Sequence, residues 1–368
     1  MITRAARAGV ASDAVRRLDW PLVLASAGLI FFGLLSLYSA DTVSVGHSHF
    51  KRQLLWMVVA IPFCALFWFV DPRKLASFSK VLYALNLTLL VAVFFLGKEA
   101  KGSVRWIDLG PFQIQPSEIA KLFVILTLAD VLIRFRDELP TIRGLLLSLL
   151  HVAIPFILVF KQPDLGTSIV FVCIWFGMSL VAGQRKRYLL GCFIVGLGAF
   201  ALLWNSGFIR DYQKARVEAL FSGDDYHSRM ARYSIGYGGV TGQGYLRGDM
   251  KASRLVPEQT TDFIFTVVAE EWGFIGSTLV VVGYAYFLWR VWLVAANASV
   301  RLYRYIAAGI YVVFAFHIVV NLLMVVGLLP VVGVPLPFFS RGGSALVLNF
   351  SMVALLLNLR AREKHLVF

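Results

Sequence analysis

The sequence predicts an all-α, polytopic membrane protein, and three observations support this fold class. Of the 368 residues, 59% are hydrophobic and only 15% are charged, whereas a soluble protein carries roughly a quarter charged residues. The mean hydropathy is +0.75. Apolar segments of nearly membrane-spanning length recur along the chain, with basic residues between them. We expect about ten transmembrane helices in a single domain over residues 1–368, with both termini in the cytoplasm.

The helices follow from the apolar segments in chain order. A transmembrane helix needs about 20 mainly apolar residues, and ten segments approach this length. The three cysteines lie within these segments and have neither the number nor the spacing of a disulfide framework or a metal site. The predicted spans are residues 20–39, 54–70, 81–97, 118–133, 145–160, 168–183, 188–204, 263–289, 305–327 and 341–359.

The basic residues explain the orientation and exclude one class of partner. A net charge of +14 is compatible with nucleic-acid binding. However, if the N-terminus is inside, every inside segment carries at least three Lys or Arg residues, as the positive-inside rule requires. The positive charge is therefore a topology signal, and we expect no nucleic-acid partner.

Two segments outside the predicted helices are irregular. The long extracytoplasmic loop, residues 205–262, joins predicted helices seven and eight and contains GYGGVTGQGYLRGD. This glycine-rich stretch is incompatible with a regular helix, and we expect it to fold back towards the membrane. The second segment, GLLPVVGVPLPFFSRGG at 327–343, is apolar but rich in helix breakers. Such backbone must not face lipid, so we expect it to line a cavity.

Two predicted helices carry charges at their outer ends. In QPSEIAKLF, Glu118 and Lys121 are three residues apart and share one helical face. They form either an ion pair that lowers the cost of both charges or a pair that lines a polar cavity, and the second interpretation is favoured. In FKQPDLGTS, Asp164 fits a helix cap as well as a site residue. The adjacent Lys161 either neutralises this acid or meets an anionic ligand.

Three further carboxylates lie in RLVPEQTTDFIFTVVAEEWGF, residues 254–274. Asp262 stands at a helix start, where an acid complements the helix dipole, and its position alone favours this structural role over catalysis. Glu270 and Glu271 lie inside the helix, offset from Asp262 by about 80° and about 180°. They cannot both share one narrow cavity with Asp262, so we interpret them as structural or coupling residues.

Other polar residues fit either structural or binding roles. His317 and Asn321 are spaced i, i+4, and hydrogen bonding between helices explains them without catalysis. Arg105 lies in an outside segment that returns to the membrane, and a guanidinium there is suited to phosphate. Mixed acids and bases at the outer ends of the helices suit a substrate that is part lipid and part polar. This pattern alone does not separate an enzyme from a transporter.

Five motifs resemble those of the SEDS family (shape, elongation, division and sporulation proteins), in the family's order and over essentially the whole chain. Within the family, PEQTTDFIF and GVTGQG resemble the elongation branch, RodA, more than the division branch, FtsW. Two departures stand out: Arg341 replaces the usual tyrosine before the paired glycines, and RMARYSIGYGG lacks a Gln-Ser. The five motifs are RWIDLGPFQIQPSEIAKL, QPDLGTS, GYGGVTGQGY, LVPEQTTDFIFTVVAEEWGFIG and LLPVVGVPLPFFSRGGSAL.

The resemblance implies a glycosyltransferase of the bacterial inner membrane that polymerises lipid II into β-1,4-linked glycan strands during cell elongation. Asp262 matches the family's essential aspartate. Glu118 and Lys121 match its cavity pair, and Asp164 matches the acid of QPDLGT. The implied partners are a class B penicillin-binding protein (a transpeptidase) and other elongation-complex proteins. The alternatives are a lipid II flippase, although no inverted repeat is evident, and a scaffold of the wall-synthesis complex.

The implied reaction inverts the donor sugar in one displacement. The attacking hydroxyl needs a positioned carboxylate to take its proton, and we assign this general-base role to Asp262. The departing pyrophosphate needs positive charge, from Lys121, Arg105 or a divalent cation. Mg²⁺ or Mn²⁺ is expected on the ground that such cations prefer oxygen ligands and bridge phosphates.

Overall fold

The structure is a computed structural model that describes residues 18–43, 47–100, 103–110, 112–204, 214, 218 and 226–366. The start of the chain and most of 205–225 in the long loop lie outside the described residues. The described chain is mainly helical, as predicted. Its helices are α1 (Trp20–Ala40), α2 (Ser48–Phe69), α3 (Pro72–Ser77), α4 (Ser79–Leu96), α5 (Pro116–Arg134), α6 (Ile142–Lys161), α7 (Leu165–Ala182), α8 (Lys186–Trp204), α9 (Tyr226–Gly238), α10 (Asp249–Ala252), α11 (Ile264–Ala296), α12 (Arg301–Val325) and α13 (Gly343–Leu366).

Eight of these helices are long and apolar enough to cross a membrane: α1, α2, α4, α6, α7, α11, α12 and residues Gly343–Glu363 of α13. The polytopic helical fold is thus confirmed. The two other predicted spans coincide with α5 and α8, each 19 residues long. Helix α5 carries Glu118, Lys121, Asp130 and Arg134, which lower its hydropathy. The count of ten spans and the orientation of the termini stay predictions.

Helix α12 lies at the centre of the bundle, where it packs against α5, α7 and α11, while α13 packs against α2. A small residue allows this close approach: a Cβ on Gly309 would lie 2.8 Å from both Ile125 Cγ2 and Met178 Sδ. Small residues at helix crossings are typical of membrane bundles. The buried core therefore runs along α5 and α12, next to the charged outer end of α5.

The segment between α4 and α5 forms a small antiparallel sheet, with strands β1 (Gly97–Ala100), β2 (Ser103–Leu109) and β3 (Phe112–Ile114) in that order. Ile107 pairs with Ile114, and Leu109 pairs with Phe112. The sequence predicted only an outside segment that returns to the membrane. The paired strands hold the β2 residues near the outer ends of α5 and α7.

The glycine-rich stretch folds back onto the bundle, as predicted, but its first glycines are helical. Helix α9 continues to Gly238, so the first three residues of the stretch are helical. The stretch as a whole is not a regular helix, as predicted, and its irregular backbone begins at Gly239, where φ is +52°. The following residues contact α11 where that helix is broken. Residue Gly273 there has φ 62° and ψ −157°, outside the helical region.

The break leaves backbone amides and carbonyls of α11 without partners in the helix, and the backbone of the long loop forms hydrogen bonds with them. The amides of Phe274 and Ile275 donate to the carbonyls of Gly239 and Val240, at 2.9 and 3.2 Å. In the other direction, loop amides at 243 and 244 donate to the carbonyls of residues 270 and 271, both at 3.0 Å. Backbone groups at membrane depth must be paired within the protein, so the loop and the broken helix form one unit.

Candidate active site

A cavity of about 670 Å³ lies between β2, the outer ends of α5 and α7, and the segments before α11 and α13. It brings together four of the six predicted site residues: Asp262, Glu118, Asp164 and Arg105. The irregular segment 330–335 lines it, as predicted for the helix-breaking motif. The other charged or ionisable residues in its wall are Arg52, Asp108, His227, Glu258, His317 and Arg341.

Asp262 lies two residues before α11, outside the first turn of that helix, and the backbone around it is held from two sides. The buried Asn321 side chain donates to the carbonyl of Asp262 at 2.9 Å and to that of Val334 at 2.7 Å. The Ser340 hydroxyl donates to the carbonyl of Thr261 at 2.5 Å. Asn321 therefore connects the aspartate to the irregular segment, and the interhelical role predicted for it becomes a role in positioning Asp262.

The predicted Glu118–Lys121 pair forms, but its two members differ in their access to the cavity. The Lys121 ammonium is fully buried and donates to Glu118 Oε1 at 2.7 Å. It also lies 3.1 Å from His317 Nε2. Glu118 lines the cavity, whereas Lys121 lies behind it and is not part of the wall. Each interpretation made from the sequence is therefore correct in part. The two residues form an ion pair, but only Glu118 lines the polar cavity.

The imidazole of His317 completes this network. Its Nδ1 lies 3.2 Å from the carbonyl of Pro335, which accepts a hydrogen bond. A neutral imidazole with its proton on Nδ1 donates to that carbonyl and accepts from the lysine at Nε2. A buried ammonium is strongly destabilising without such partners, so His317 and Glu118 together account for the burial of Lys121.

Asp164 both caps α7 and lines the cavity. Its Oδ1 accepts from the amide of Thr167 at 3.2 Å, and its Oδ2 accepts from Gln115 Nε2 at 2.9 Å. Arg105 of β2 lies over the same turn, with Nη1 3.9 Å from Asp164 Oδ1 and further hydrogen bonds to the carbonyls of Gln162 and Pro163. Lys161, by contrast, is exposed at the end of α6 and does not line the cavity.

Two arginines in the wall were not among the predicted site residues. Arg52 lies near the start of α2, and Arg341 precedes α13. The amide of Arg341 donates to the carbonyl of Thr260 at 2.8 Å, and its guanidinium contacts the His49 ring. The sequence signal that could have indicated Arg52 is its position just before an apolar span. The signal for Arg341 is its departure from the family's tyrosine.

Glu270 and Glu271 both lie away from the cavity, whereas their angular offsets predicted only that they cannot both share it with Asp262, and they hold the long loop. Glu270 accepts from the amide of Met250 at 2.6 Å and from the hydroxyl of Ser234 at 3.1 Å. Glu271 pairs with Lys251 and accepts from the hydroxyl of Ser39 in α1. Both carboxylates are buried, so their structural role follows directly from their partners.

Tyr245, near these carboxylates, also joins the loop to α1. Burial raises the pKa of the Tyr245 hydroxyl, and the nearby charge of Glu271 raises it further. The hydroxyl therefore stays protonated and donates to the carbonyl of Leu35 at 3.4 Å. Its ring packs against that of Trp272, with the centroids 6.0 Å apart. The loop is thus held to the bundle by charged, polar and aromatic contacts.

The fold and the cavity define a class: a polytopic membrane protein with a mixed acidic and basic site at one end of its helices. The chain belongs to the FtsW/RodA/SpoVE family, whose profile, described as "Cell cycle protein", matches residues 17–365. It is a multi-pass protein of the bacterial inner membrane. The family, the membrane fold and the location predicted from the sequence are confirmed.

Relatives in this family carry the name of the predicted enzyme class. The chain is 34% identical to "Peptidoglycan glycosyltransferase MrdB" of Escherichia coli (strain K12), over 95% of each chain. It is 32% identical to "Probable peptidoglycan glycosyltransferase FtsW" of Trichlorobacter lovleyi, over 94% of each chain. Because a relative named FtsW also matches over nearly its full length, the choice of the RodA branch over FtsW stays a prediction.

Two solved structures share the fold. One is a chain from a peptidoglycan synthase complex that coordinates polymerization and crosslinking, with a TM-score of 0.81, 28% identity, and coverage of 94% of this chain and 98% of that one. The other is the rod shape determining protein RodA of Thermus thermophilus, with a TM-score of 0.70, 31% identity, and coverage of 93% and 96%. The fold of this chain is therefore that of its family.

Proposed function

We propose that this chain is a peptidoglycan glycosyltransferase that polymerises lipid II into β-1,4-linked glycan strands during cell elongation, with Asp262 as its general base. The observation that carries the proposal is the position of Asp262. It lies in the wall of a polar cavity that also contains Glu118, Asp164 and Arg105. Its backbone is held by Asn321, so the carboxylate is placed by the fold.

The chemistry requires one base and no covalent intermediate. The oxygen of an acceptor sugar hydroxyl attacks the anomeric carbon of the donor and forms the new glycosidic bond. The bond from that carbon to the pyrophosphate oxygen breaks, and the lipid pyrophosphate leaves with the electron pair. The hydroxyl proton passes to the Asp262 carboxylate, since a base in reach of the attacking hydroxyl is what this step needs.

The leaving pyrophosphate carries negative charge that the protein must stabilise. Arg52, Arg105 and Arg341 all line the cavity, and guanidinium groups bind phosphate oxygens in a bidentate manner. Lys121 lies behind Glu118, so we assign it to positioning that carboxylate. Lys161 is a weaker candidate for binding the substrate because it lies outside the cavity wall.

A divalent cation, Mg²⁺ or Mn²⁺, fits the carboxylates of this site. In the part of the chain that the structure describes, no group of three metal-ligating side chains is close enough to hold a metal. A cation of this kind is often bound by one or two carboxylates together with substrate phosphates. Glu118, whose Oε2 has no hydrogen-bond partner among the described residues, and Asp164 would hold it. It would stabilise charge on the pyrophosphate.

A class B penicillin-binding protein is the proposed protein partner, together with elongation-complex proteins. The similarity to a chain of a peptidoglycan synthase complex supports this assignment. The long loop, which is anchored to α11 and α1 by Glu271, Lys251 and Ser39, offers a fixed surface for such a partner.

The test is polymerisation of labelled lipid II by the purified chain, with and without the transpeptidase partner and a divalent cation. Asp262→Asn is compared with Asp249→Asn, an exposed aspartate on the long loop outside the cavity wall. We expect glycan strands from the wild type and from Asp249→Asn, and none from Asp262→Asn. Strands from Asp262→Asn at the wild-type rate would remove the assigned base. No strands from the wild type with its partner, but lipid II translocation in vesicles, would favour the flippase.

A further inference from the structure

A second cavity, of about 420 Å³, lies at the opposite end of the bundle from the candidate active site. It opens between the turn after α5, the last residues of α7 and the first turn of α12. We call it the inner pocket and define it by Arg136, Asp137, Arg301, Arg304 and Tyr305. The proposed polymerase reaction makes no use of it.

The inner pocket has an excess of positive charge. Its single carboxylate, Asp137, lies 3.3 Å from the guanidinium of Arg136. The neighbouring Glu138 pairs with Arg143 instead. Within the described residues, neither Arg301 nor Arg304 forms an ion pair. The pocket therefore presents two arginines that pair with no carboxylate among the described residues.

The position of these two arginines is itself unfavourable. Both lie in the first turn of α12, where the helix dipole is positive and cations are disfavoured. This turn contains no acidic residue, and Val300 offers no side-chain cap. The Glu363 carboxylate accepts from the amide of Ser299, just before this turn, at 2.6 Å, but among the described residues it forms no ion pair with either arginine. The two arginines therefore favour an anion in front of them, and the cavity provides the space for one.

One of the arginines is already oriented. Nε and Nη2 of Arg304 donate to the carbonyl of Ala298 at 3.1 and 2.7 Å, which fixes the plane of the guanidinium and leaves its other N–H groups for a ligand. A preoriented group loses less freedom on binding. Guanidinium groups match the geometry of phosphate oxygens, so phosphate is the anion that this arrangement suits.

The surroundings indicate the source of the phosphate. The basic residues predict that this end of the bundle faces the cytoplasm, where the membrane surface carries anionic lipids. Phe176 and Leu180, on the α7 turns next to the pocket, are exposed apolar side chains against which acyl chains can pack. We propose that the inner pocket binds the phosphate of an anionic phospholipid headgroup.

The test measures lipid binding by the purified full chain in a neutral detergent, using native mass spectrometry. Phosphatidylglycerol is titrated beside phosphatidylcholine, which carries the same phosphate without net charge. We expect phosphatidylglycerol to bind more tightly, and Arg301→Gln to weaken that binding about fivefold, the usual effect of one cation near an anionic surface. This readout needs no lipid II, so it is independent of the proposed function.

The matched control is Arg187→Gln, which removes the same charge from the first turn of α8 but lies outside the inner pocket. Binding by this variant should equal that of the wild type. Equal losses in both variants would show a diffuse attraction to the surface and overturn the proposal. Displacement of the lipid by inorganic phosphate at matched concentration would overturn the lipid assignment. Arg304→Lys, which keeps the charge, should retain binding better than Arg304→Gln, and thermal unfolding without lipid checks that each variant folds.

Discussion

Lys251 and Glu271 form an ion pair of 2.5 Å inside the bundle, and both side chains are almost fully buried. Lys251 belongs to the short helix α10 of the long loop, whereas Glu271 lies two residues before the break in α11. The ammonium also donates to the hydroxyl of Ser39 in α1 at 2.7 Å. This pair therefore joins a loop and two membrane helices at one point.

Removing one member of this pair should destabilise the fold strongly. In Lys251→Met, the Glu271 carboxylate stays buried without its counter-charge, and the loss of one partner of a buried pair costs about 3–5 kcal/mol. We expect a clearly lower thermal unfolding midpoint in detergent. Replacing both residues, as in Lys251→Met with Glu271→Leu, should recover most of the loss. A double variant that is less stable than either single one would contradict this account.

A second prediction about stability concerns the break in α11. A Cβ on Gly273 would lie 2.3 Å from the amide nitrogen of Gly242 and 2.7 Å from the backbone of Val240. With φ at +62°, any side chain there is also strained, at a cost of about 1–3 kcal/mol. Gly273→Ala should therefore detach the loop from the helix, which limited proteolysis of the loop measures.

The control for this substitution lies on the same helix. A Cβ on Gly283 would make an ordinary contact, 3.5 Å from Leu29 Cδ2, and alanine favours the helix over glycine by about 1 kcal/mol. Gly283→Ala should leave proteolysis of the loop unchanged. If both alanine variants show the same cleavage rate as the wild type, the loop does not depend on the close approach at Gly273.

The sequence predicted much of the fold because membrane helices have a strong local signal. Apolar length located the helices, and local spacing placed Glu118 and Lys121 on one face. Spacing along a helix, however, does not determine which other segment comes near. The partner of Glu271 is a lysine on a distant loop, and the backbone groups at the break near Gly273 pair with the backbone of that loop.

The sequence predicted the candidate site only in part, again because local spacing does not show which distant segments meet. Motifs pointed to Asp262, Glu118, Asp164 and Arg105, and the structure brings these residues to one cavity. The sequence did not show that Lys121 lies behind Glu118, since burial of the ammonium depends on His317 of another helix. The sequence also did not show that Arg341 reaches the cavity, because this position depends on the contact between segments 260–262 and 340–341.

Arg341 should contribute to binding the substrate pyrophosphate. Replacing it with glutamine removes charge-assisted hydrogen bonds, each of which contributes about 1.5–3 kcal/mol. We therefore expect kcat/KM for lipid II polymerisation to fall by about 10- to 100-fold, and Arg341→Lys to fall less. Steady-state kinetics with labelled lipid II measure both.

The matched control is Arg247→Gln, which removes an exposed arginine of the long loop that does not line the cavity. It should leave kcat/KM close to the wild-type value. If Arg341→Gln polymerises lipid II as well as this control does, the pyrophosphate depends on Arg52 and Arg105 without Arg341, and the departure from the family's tyrosine has no role in binding.

Asn321 should act on the reaction through the position of Asp262. Its side-chain amide holds the carbonyls of Asp262 and Val334 at once, so Asn321→Leu releases the aspartate from the segment that faces it. A displacement of about 1 Å in a catalytic group costs about 100-fold in rate. We expect kcat to fall by this order with little change in KM, because the groups that bind the substrate stay in place.

A loss of stability alone would give a different result, and Asn358→Leu controls for it. Asn358 is a buried asparagine of α13 that does not line the cavity. Its side-chain amide holds the carbonyls of Phe67 and Val70 at 2.8 and 2.7 Å, so the same substitution there removes two equivalent hydrogen bonds without touching Asp262. The two variants should show comparable thermal unfolding midpoints, while only Asn321→Leu loses turnover. Equal kinetics in the two variants, or a parallel rise in KM for Asn321→Leu, would mean that Asn321 supports the bundle and does not position the base.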